Sequence, residues 1–501
     1  MTRAPRILAL AGLAALCASA DVSLPPLISE HMVLQRRTPI HIWGKAAPGE
    51  AVSVTFRGQT RSAVADDLGM WSAYLPPAEA GGPFTLAVSA TNTITLRDVM
   101  VGEVWVDSGQ SNMEFSLHSA IDGEAEAAAA NHPNIRRIHI SNKVSAVPVL
   151  EADAQPWEVC TPQTAAGFSA VAYFFARELD RKLGIPIGLI DSNWGGTPVE
   201  AWMSLRALSS DAQFMPAFAW WWNMIGDPVP LARRDKRKQD WLDAVAKAKA
   251  AGQRAPDQAW ESNMENSWMP GGLYNAMIAP LTAFPIGGVI WYQGESNASA
   301  TGAPLYAGMF SAMIRDWRKA WGVGDFPFLF VQLANFTAPN GRWPELRDAQ
   351  RETLAVARTG MAVTIDIGDA RDIHPRNKQD VGKRLALAAR AVAYGENIEY
   401  SGPLLRTAVR EDRSIRLWFD HAAGLQAKGG ELKGFQIAGS DRKFEPAAAA
   451  IEGATIVVSS PAVPHPLYVR YAWADNPEGN LDNGEGLPAS PFRWGEETPH
   501  P

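Results

Sequence analysis

The chain has 501 residues, 47% of them hydrophobic and 20% charged, which is a globular composition long enough for two to four domains. Its formal net charge is only −7, and its densest charged run, "RRDKRKQD" at 233–240, carries acids among its bases. We interpret that run as a solvated helix face. Because the chain lacks a long basic tract that would neutralise a phosphate backbone, nucleic acid is excluded as an expected partner.

The first twenty residues are typical of a cleavable signal peptide. Arg3 and Arg6 precede the apolar stretch "ILALAGLAAL", and the small residues "ASA" stand before Asp21. No later apolar run reaches about 18 residues, so no membrane span is expected. The sequence therefore predicts a secreted or periplasmic protein.

Cleavage before Asp21 would leave Cys160 as the only cysteine of the mature chain. Stability must then rest on the core, because no intramolecular disulfide can form. The surrounding "WEVCTPQT" offers no adjacent base that would activate a thiol. We interpret Cys160 as a buried, inert residue.

Three regions with different patterning follow the signal peptide. Residues 21–100 alternate with period two between Gly and Pro turns, which predicts a small β-sandwich. Residues 101–395 alternate apolar strands with helical stretches, which predicts a mostly parallel sheet, with a helical insertion at about 205–270. Residues 396–501 return to a β pattern.

Four polar loops follow apolar strands of the middle region. Ligands of open α/β sheets bind outside the carboxyl ends of the strands, so these loops are expected to form the functional site. They are "DSGQSN" (107–112), "DSNWGGTPVEAW" (191–202), "WYQGESN" (291–297) and "DIGDARDIHPRNKQD" (366–380).

Ser111 is the candidate nucleophile. A hydroxyl at the start of a helix lies near backbone N–H groups that stabilise an oxyanion, but it needs a base to remove its proton. "GQSNM" also departs from G-x-S-x-G, because Met113 stands in place of the last glycine. Taken alone, Ser111 is therefore better explained as a turn residue.

His374 is the candidate base. It lies between a strand and a helix in "RDIHPRNKQD", two residues after Asp372. An aspartate that accepts the imidazole N–H fixes the tautomer and stabilises the imidazolium. The alternative is an ordinary loop in which Asp372 caps the following helix.

Further polar groups follow the other two strands. Gly195 and Gly196 permit close backbone approach and offer N–H donors, and Gln293 offers a side-chain amide. Simple turn chemistry explains the glycine pair equally well. Glu295 either orients His374 in place of Asp372 or holds its own loop.

Together these motifs resemble the sialate O-acetylesterase family of the SGNH hydrolase superfamily. "SGQSNME", "WYQGESNA" and "DIHPRNKQD" carry the resemblance, and "LPPLISEHMVLQ" and "YAWADNPEGNLDNGEGLPASPF" extend it over nearly the whole mature chain. The resemblance implies an α/β fold in which an SGNH-type three-layer α/β/α domain is flanked by N-terminal and C-terminal β-sandwich-like regions.

The resemblance also implies roles for the candidate residues. Ser111 matches the nucleophile and His374 the base. The usual acid lies three residues before the histidine, where this chain has Arg371, so Asp372 and Glu295 both remain candidates, with Asp372 placed first. The implied oxyanion donors are the Ser111 N–H, the N–H of Gly195 or Gly196, and the side chain of Gln293 or Asn193.

The implied activity is that of a secreted carbohydrate O-acetylesterase that needs no cofactor and no metal. Its expected substrates are O-acetylated sugars, sialic acids first. Flat aromatic faces pack on pyranose rings, so Trp194 and Trp291 are predicted to bind substrate, although most tryptophans are core residues. The alternatives are an acetylxylan or other polysaccharide acetylesterase, and a non-catalytic glycan-binding protein.

Overall fold

The computed structural model describes residues 21–226, 228–251, 267–338 and 341–495. The predicted signal peptide, residues 1–20, lies outside the described residues. So does part of the predicted insertion, residues 252–266.

The N-terminal region consists of short strands, of which Ala51–Phe56 and Met70–Leu75 show the alternating burial that the period-two pattern predicts. In β3, for example, every second side chain is buried. β2 pairs with β5, and β3 pairs with β4 and β6, in each case antiparallel. The strands are β1 (Val33–Gln35), β2 (Ile40–Lys45), β3 (Ala51–Phe56), β4 (Gln59–Val64), β5 (Met70–Leu75) and β6 (Gly81–Ser89).

Strand β7 (Thr93–Gly109) connects the N-terminal region to the middle of the molecule. Its first half pairs antiparallel with β6, and its second half pairs parallel with strands of the central sheet. The predicted boundary between residues 100 and 101 falls inside this strand. The two regions therefore share one continuous strand of 17 residues.

The central sheet has the strand order β13-β12-β11-β7-β10-β8-β9. Neighbouring strands are parallel except for β8 and β9, so the prediction of a mostly parallel sheet is confirmed. Its strands after β7 are β8 (His132–His139), β9 (Glu158–Cys160), β10 (Ile187–Asn193), β11 (Gly288–Tyr292), β12 (Phe328–Val331) and β13 (Thr359–Ala362).

The chain forms nine helices over its described residues, and the longer ones outside the insertion cover the two faces of the central sheet. The nine are α1 (Ser111–Glu114), α2 (Gly123–Ala129), α3 (Ala170–Leu183), α4 (Leu205–Leu208), α5 (Met215–Gly226), α6 (Pro228–Ala250), α7 (Gly302–Trp321), α8 (Trp343–Glu352) and α9 (Lys378–Val392). Helices α4 to α6 occupy the predicted insertion. Shorter turns of 3₁₀ or π helix are Leu117–Ser119, Ala165–Gly167, Val199–Trp202, Ala212–Phe214, Tyr274–Ile278, Ala279–Leu281, Glu295–Asn297 and Thr353–Ala355.

Two tryptophans show that the sheet is the middle of three layers. Trp105 of β7 packs edge-to-face on Phe175 of α3. Trp291 of β11 stacks on Phe310 of α7. Trp291 lies level with Ser108, three positions after Trp105, so the two rings project from opposite faces of the sheet. This confirms the three-layer α/β/α architecture.

The C-terminal region is rich in β structure, as its sequence pattern predicts. One sheet has the order β14-β15-β20-β19 and another the order β18-β17-β21-β23. The strands are β14 (Leu404–Glu411), β15 (Ser414–Asp420), β16 (Gln426–Ala427), β17 (Phe435–Ala438), β18 (Glu445–Pro446), β19 (Ala448–Glu452), β20 (Thr455–Ser459), β21 (Tyr468–Tyr471), β22 (Leu481–Asp482) and β23 (Phe492–Trp494).

Cys160 lies in the core at the end of β9 and forms no disulfide. Burial raises the pKa of its thiol to about 12, which disfavours the reactive thiolate. Among the helices that the structure describes, none is both long and apolar enough to cross a bilayer.

Candidate active site

The candidate nucleophile lies where β7 turns sharply into helix α1. Gly109 has a φ of 133°, and a Cβ at this position would lie 2.2 Å from the carbonyl oxygen of Tyr292. The N–H of Gln110 donates to the same oxygen at 2.9 Å, which fixes the turn against β11. Ser111 follows as the first residue of α1, so its own N–H has no acceptor within the helix.

Ser111 and His374 meet in the structure although 263 residues separate them. The Oγ of Ser111 lies 2.8 Å from the Nε2 of His374, a hydrogen-bond distance. The histidine lies on the loop between β13 and α9, at the carboxyl edge of the sheet. Burial and the nearby charge of Lys378 lower the pKa of His374, while Asp372 opposes this shift.

Asp372 stands beside the other nitrogen of the imidazole. Its Oδ1 accepts the backbone N–H of His374 at 2.8 Å and lies 3.7 Å from Nδ1. The Asp372 side chain is 55% exposed. The aspartate is therefore close enough to attract the imidazolium, but here it bonds the backbone and not the ring.

Glu295 contacts a different partner, and its residue is only partly exposed to solvent. Its Oε1 accepts a hydrogen bond from Nδ2 of Asn112 at 2.6 Å, and burial raises the pKa of its carboxyl. Asn112 also donates to the backbone oxygen of Ile373 at 2.9 Å. Glu295 thus holds the residue that links the nucleophile turn to the histidine loop.

Lys378 completes this buried network, and the sequence analysis did not identify it. Its Nζ lies 2.5 Å from Oδ1 of Asn112 and over the rings of Phe115 and Tyr292. Desolvation lowers the pKa of Lys378 to about 7. Its position could have marked it as a site residue, since it lies four residues after His374, at the start of the next helix. Asn112 was also missed, although it directly follows the candidate nucleophile.

The two candidate glycines differ in their surroundings. The N–H of Gly195 donates to Oε2 of Glu114 at 2.7 Å, and a Cβ on Gly195 would lie 3.3 Å from Cβ of Ser111. Gly196 has a φ of 73°, and its carbonyl accepts from Nε1 of Trp268 at 2.6 Å. Gly195 therefore lies next to Ser111, whereas the contact described for Gly196 is with Trp268.

Gln293 is fully buried, and its amide is committed to its own surroundings. Nε2 donates to the Thr197 oxygen at 3.1 Å and to Oδ1 of Asn297 at 2.7 Å, while Oε1 accepts from Tyr306 at 2.8 Å. Both amide hydrogens are therefore used, and the prediction of Gln293 as an oxyanion donor is corrected: its side chain fastens the loop.

Asn193 is the other candidate amide. It ends β10 level with Gly109 and is also buried. Its Nδ2 donates to Oδ1 of Asp191, whose Oδ2 lies 3.0 Å from Nδ1 of His139. One of its two amide hydrogens is thus bound to a buried carboxylate.

The prediction that Trp291 binds substrate is wrong. Its ring is fully buried and packs against Trp202, Phe310 and Trp317. A continuous apolar strand such as β11, "GVIWY", is buried on both faces, so its tryptophan belongs to the core. Trp194 is half-buried, and its backbone N–H donates to the backbone oxygen of Gly109 at 3.0 Å.

A small cavity opens beside the loops that carry Gly196 and Glu295. Its volume is about 120 Å³, and the rings of Trp220 and Trp268, with centroids 4.9 Å apart, form part of its wall. Ser296 lines it as well, and the N–H of Ser296 lies 3.3 Å from Oε1 of Gln110. The cavity therefore borders the loops that flank the nucleophile turn.

Over the described ranges, no three or more His, Cys, Asp or Glu side chains gather as a metal site would require. What the carboxyl edge of the sheet does assemble is a serine, a histidine and a nearby carboxylate. That set is suited to transfer of an acyl group through a covalent intermediate.

Known proteins that resemble this chain are carbohydrate esterases. Residues 101–214 and 250–391 match the family model described as carbohydrate esterase, sialic acid-specific acetylesterase. The sialate O-acetylesterase of Mus musculus is 32% identical, over 90% of this chain and 89% of that protein. The sialate O-acetylesterase of Homo sapiens is 33% identical, over 75% of this chain and 72% of that protein.

A solved structure resembles nearly the whole molecule. The crystal structure of a carbohydrate acetylesterase from Xanthomonas citri has a TM-score of 0.82 and 41% sequence identity to this chain. The similarity covers 95% of this chain and 99% of that one, so it includes both β-rich regions as well as the central sheet.

Proposed function

This chain belongs to the carbohydrate esterase family of sialic acid-specific acetylesterases, and from that premise we propose that Ser111 and His374 remove acetyl groups from sugar hydroxyls. Membership makes the protein a carboxylic ester hydrolase. The observation that carries the mechanism is the 2.8 Å contact between Oγ of Ser111 and Nε2 of His374 at the carboxyl edge of the sheet.

The proposed first half of the reaction forms an acetyl-enzyme. Nε2 of His374 takes the proton of Ser111 as Oγ attacks the acetyl carbonyl carbon. The bond between that carbon and the sugar oxygen then breaks. The sugar oxygen leaves with the proton from His374, and the acetyl group remains on Ser111.

The proposed second half releases acetate. His374 takes a proton from water as the water oxygen attacks the acetyl carbon of the ester on Ser111. Collapse of this second tetrahedral intermediate breaks the bond to Oγ, which recovers its proton from the imidazolium. Every proton transfer therefore passes through one nitrogen, Nε2.

Asp372 is the proposed acid partner of His374. Its carboxylate lies 3.7 Å from Nδ1, and the positive charge that His374 acquires during attack draws the two together. Glu295 has no hydrogen bond to the histidine among the described contacts. Its proposed role is to position Asn112 between the nucleophile turn and the histidine loop.

The proposed oxyanion hole consists of the N–H groups of Ser111 and Gly195. Glu114 supports the second assignment, because its carboxylate oxygen accepts the Gly195 N–H beside Ser111, as an anionic oxygen would. Asn193 remains a further candidate donor through its second amide hydrogen.

The proposal includes export and a sugar substrate. The pattern of residues 1–20 supports export. The names of the relatives make O-acetylated sialic acids the first substrates to test, followed by acetylated xylan. Acetate release should be measured across O-acetylated sialosides, xylans and pectins. If aryl acetates are cleaved but no acetylated sugar is, the proposed substrate class is wrong.

The acid limb of the pH profile should reflect the environment of His374. Because burial and the charge of Lys378 lower its pKa, the imidazole stays neutral at lower pH than an ordinary histidine. We therefore expect kcat/KM for an aryl acetate to fall only below the usual histidine pKa of about 6.5.

Two substitutions should move this limb in opposite directions. Lys378→Met removes a positive charge that lowers the pKa of His374, so the limb should move to higher pH. Asp372→Asn removes a negative charge that raises this pKa, so the limb should move to lower pH. If both variants moved the acid limb in the same direction along the pH axis, the assignment of that limb to His374 would be contradicted. Thermal unfolding of both variants checks that they fold.

A further inference from the structure

The small cavity near the nucleophile turn touches two of the loops that form the site. Ser296 lines it from the loop that follows β11, and its N–H lies 3.3 Å from Oε1 of Gln110, which directly precedes Ser111. Trp268 also lines it and donates from Nε1 to the carbonyl oxygen of Gly196 at 2.6 Å. A substrate group in this cavity would therefore contact both loops that flank the nucleophile turn.

The predicted insertion supplies an aromatic wall of this cavity. Trp220 lies on α5, and its ring packs on that of Trp268 with centroids 4.9 Å apart and an angle of 34° between the planes. Trp220 remains 39% exposed, so part of its surface is available to a ligand. The insertion therefore places an indole beside the site that the central sheet alone does not provide.

The rest of the lining combines apolar groups and hydroxyls with one amide and one carboxyl. The apolar groups include Ala217 of α5 and both Leu305 and Met309 of α7. Oε2 of Glu200 accepts from Nδ2 of Asn297 at 2.8 Å, and both residues line the cavity. Burial raises the pKa of the Glu200 carboxyl, and in either protonation state its oxygens can accept a further hydrogen bond. This lining suits a group that has a methyl end and an N–H.

The size of the cavity limits what can enter it. Its volume of about 120 Å³ is well below the range of roughly 300–1,000 Å³ that is typical of sites for a whole small ligand. One water molecule takes about 30 Å³ in the liquid, so the cavity has room for roughly four heavy atoms. An acetamido substituent has that number, whereas a pyranose ring with its hydroxyls has more. The cavity is therefore suited to one substituent of a sugar and not to its ring.

We propose that this cavity binds the N-acetyl group of an O-acetylated amino sugar, such as the acetamido group of a sialic acid. The inference rests on the proposed function and names the substituent that the site recognises. The methyl group packs against the indole of Trp220 and against Leu305 and Met309. The amide N–H donates to the carboxyl of Glu200. The sugar ring stays outside the cavity, where its acetyl ester reaches Ser111.

A matched pair of substrates isolates the acetamido group. O-acetylated N-acetylneuraminic acid is compared with the analogue in which a hydroxyl replaces the acetamido group. Both sugars keep the carboxylate and carry the ester on the same hydroxyl. We expect the wild-type enzyme to prefer the acetamido sugar at least about tenfold in kcat/KM, because the analogue loses the buried methyl group and leaves Glu200 without its hydrogen bond.

Trp220→Ala should reduce this preference to less than about threefold, because it removes the aromatic wall and opens the cavity to water. Trp222→Ala is the matched control. It removes an indole from the same helix that is 68% exposed and does not line the cavity. The control should keep the preference of the wild type, and thermal unfolding of both variants checks that they fold.

Ala217→Leu tests the cavity by filling it. The larger side chain takes the space that the methyl group of the substrate needs. This variant should lower kcat/KM for the acetamido sugar more than for the hydroxyl analogue, and the ratio of the two again serves as the measurement. Any general loss of activity from the substitution cancels in that ratio.

Three results would overturn the inference. These are equal kcat/KM for the two sugars in the wild type, a preference that persists in both Trp220→Ala and Ala217→Leu, and an equal loss of preference in Trp222→Ala. Cleavage of an acetylated xyloside but of neither sialic acid derivative would overturn the inference and leave the esterase activity on sugars in place. Failure to cleave any of these sugars, while aryl acetate is cleaved, would contradict the proposed function itself.

Discussion

Ser111→Ala is expected to lower kcat/KM for an aryl acetate by on the order of 10⁴-fold or more, with no loss of folded protein. The Ser111 side chain is the only group in the proposed mechanism that bonds covalently to the acetyl group. His374→Ala should cost a similar factor, because the serine then has no base at 2.8 Å. The double variant should be no worse than either single one, since the two side chains act as a unit.

A neighbouring serine provides the control for this prediction. Ser116→Ala removes a hydroxyl that lies five residues further along and contacts Ser119 at 3.2 Å. It should keep most of the activity. The proposed mechanism is refuted if Ser111→Ala retains turnover within tenfold of the wild type, or if the losses of Ser111→Ala and His374→Ala multiply in the double variant.

Asp372→Asn is expected to reduce kcat on the order of 10²-fold, whereas Glu295→Gln should change kcat less than tenfold. Asparagine cannot balance the charge of the imidazolium, but the effect is moderate because water reaches the Asp372 side chain. Glutamine at 295 retains an oxygen that can accept from Nδ2 of Asn112, so the histidine loop stays in place.

The two variants decide between the candidate acids. A larger loss in Glu295→Gln than in Asp372→Asn would make Glu295 the acid partner, with the loop rearranging to reach it. Steady-state kinetics at several pH values separate this from structural damage, because a misplaced loop lowers activity at every pH. Glu295→Ala should be worse than Glu295→Gln, since it leaves one of the two amide hydrogens of Asn112 without an acceptor.

The meeting of Ser111 with His374 was predictable from the sequence. Both follow strands that read as apolar runs, and the carboxyl ends of parallel strands lie along one edge of a sheet. The structure adds that Gly109, at the turn before Ser111, occupies a conformation that other residues rarely adopt.

Other parts of the site depend on packing that no local pattern encodes. Gln293 and Glu295 lie in the loop that follows β11, and Trp291 lies within that strand. The two loop residues were candidates because of their position, and the tryptophan because of its flat ring. Whether such a side chain faces the cleft or the interior depends on elements distant in sequence. Tyr306 of α7 binds Gln293, and Asn112 of the nucleophile turn binds Glu295.

Lys378 is a site residue that the sequence pattern did not identify. A lysine at the start of a helix is ordinarily exposed, so nothing in "HPRNKQD" marks it as buried. It is enclosed because Phe115 and Tyr292, from two other segments, close over it.

Strand β7 runs without a break from the N-terminal region into the central sheet, so the two regions share one structural element. Seventeen residues at about 3.3 Å each make a rod of roughly 55 Å, and the nucleophile stands at its tip. A fragment cut at residue 100 would expose Val101, which is fully buried, without its partners Gly81 and Leu34. A chimera of two related proteins should therefore keep its activity only if the junction lies outside this strand. The N-terminal region and the segment that carries Ser111 should then come from the same parent.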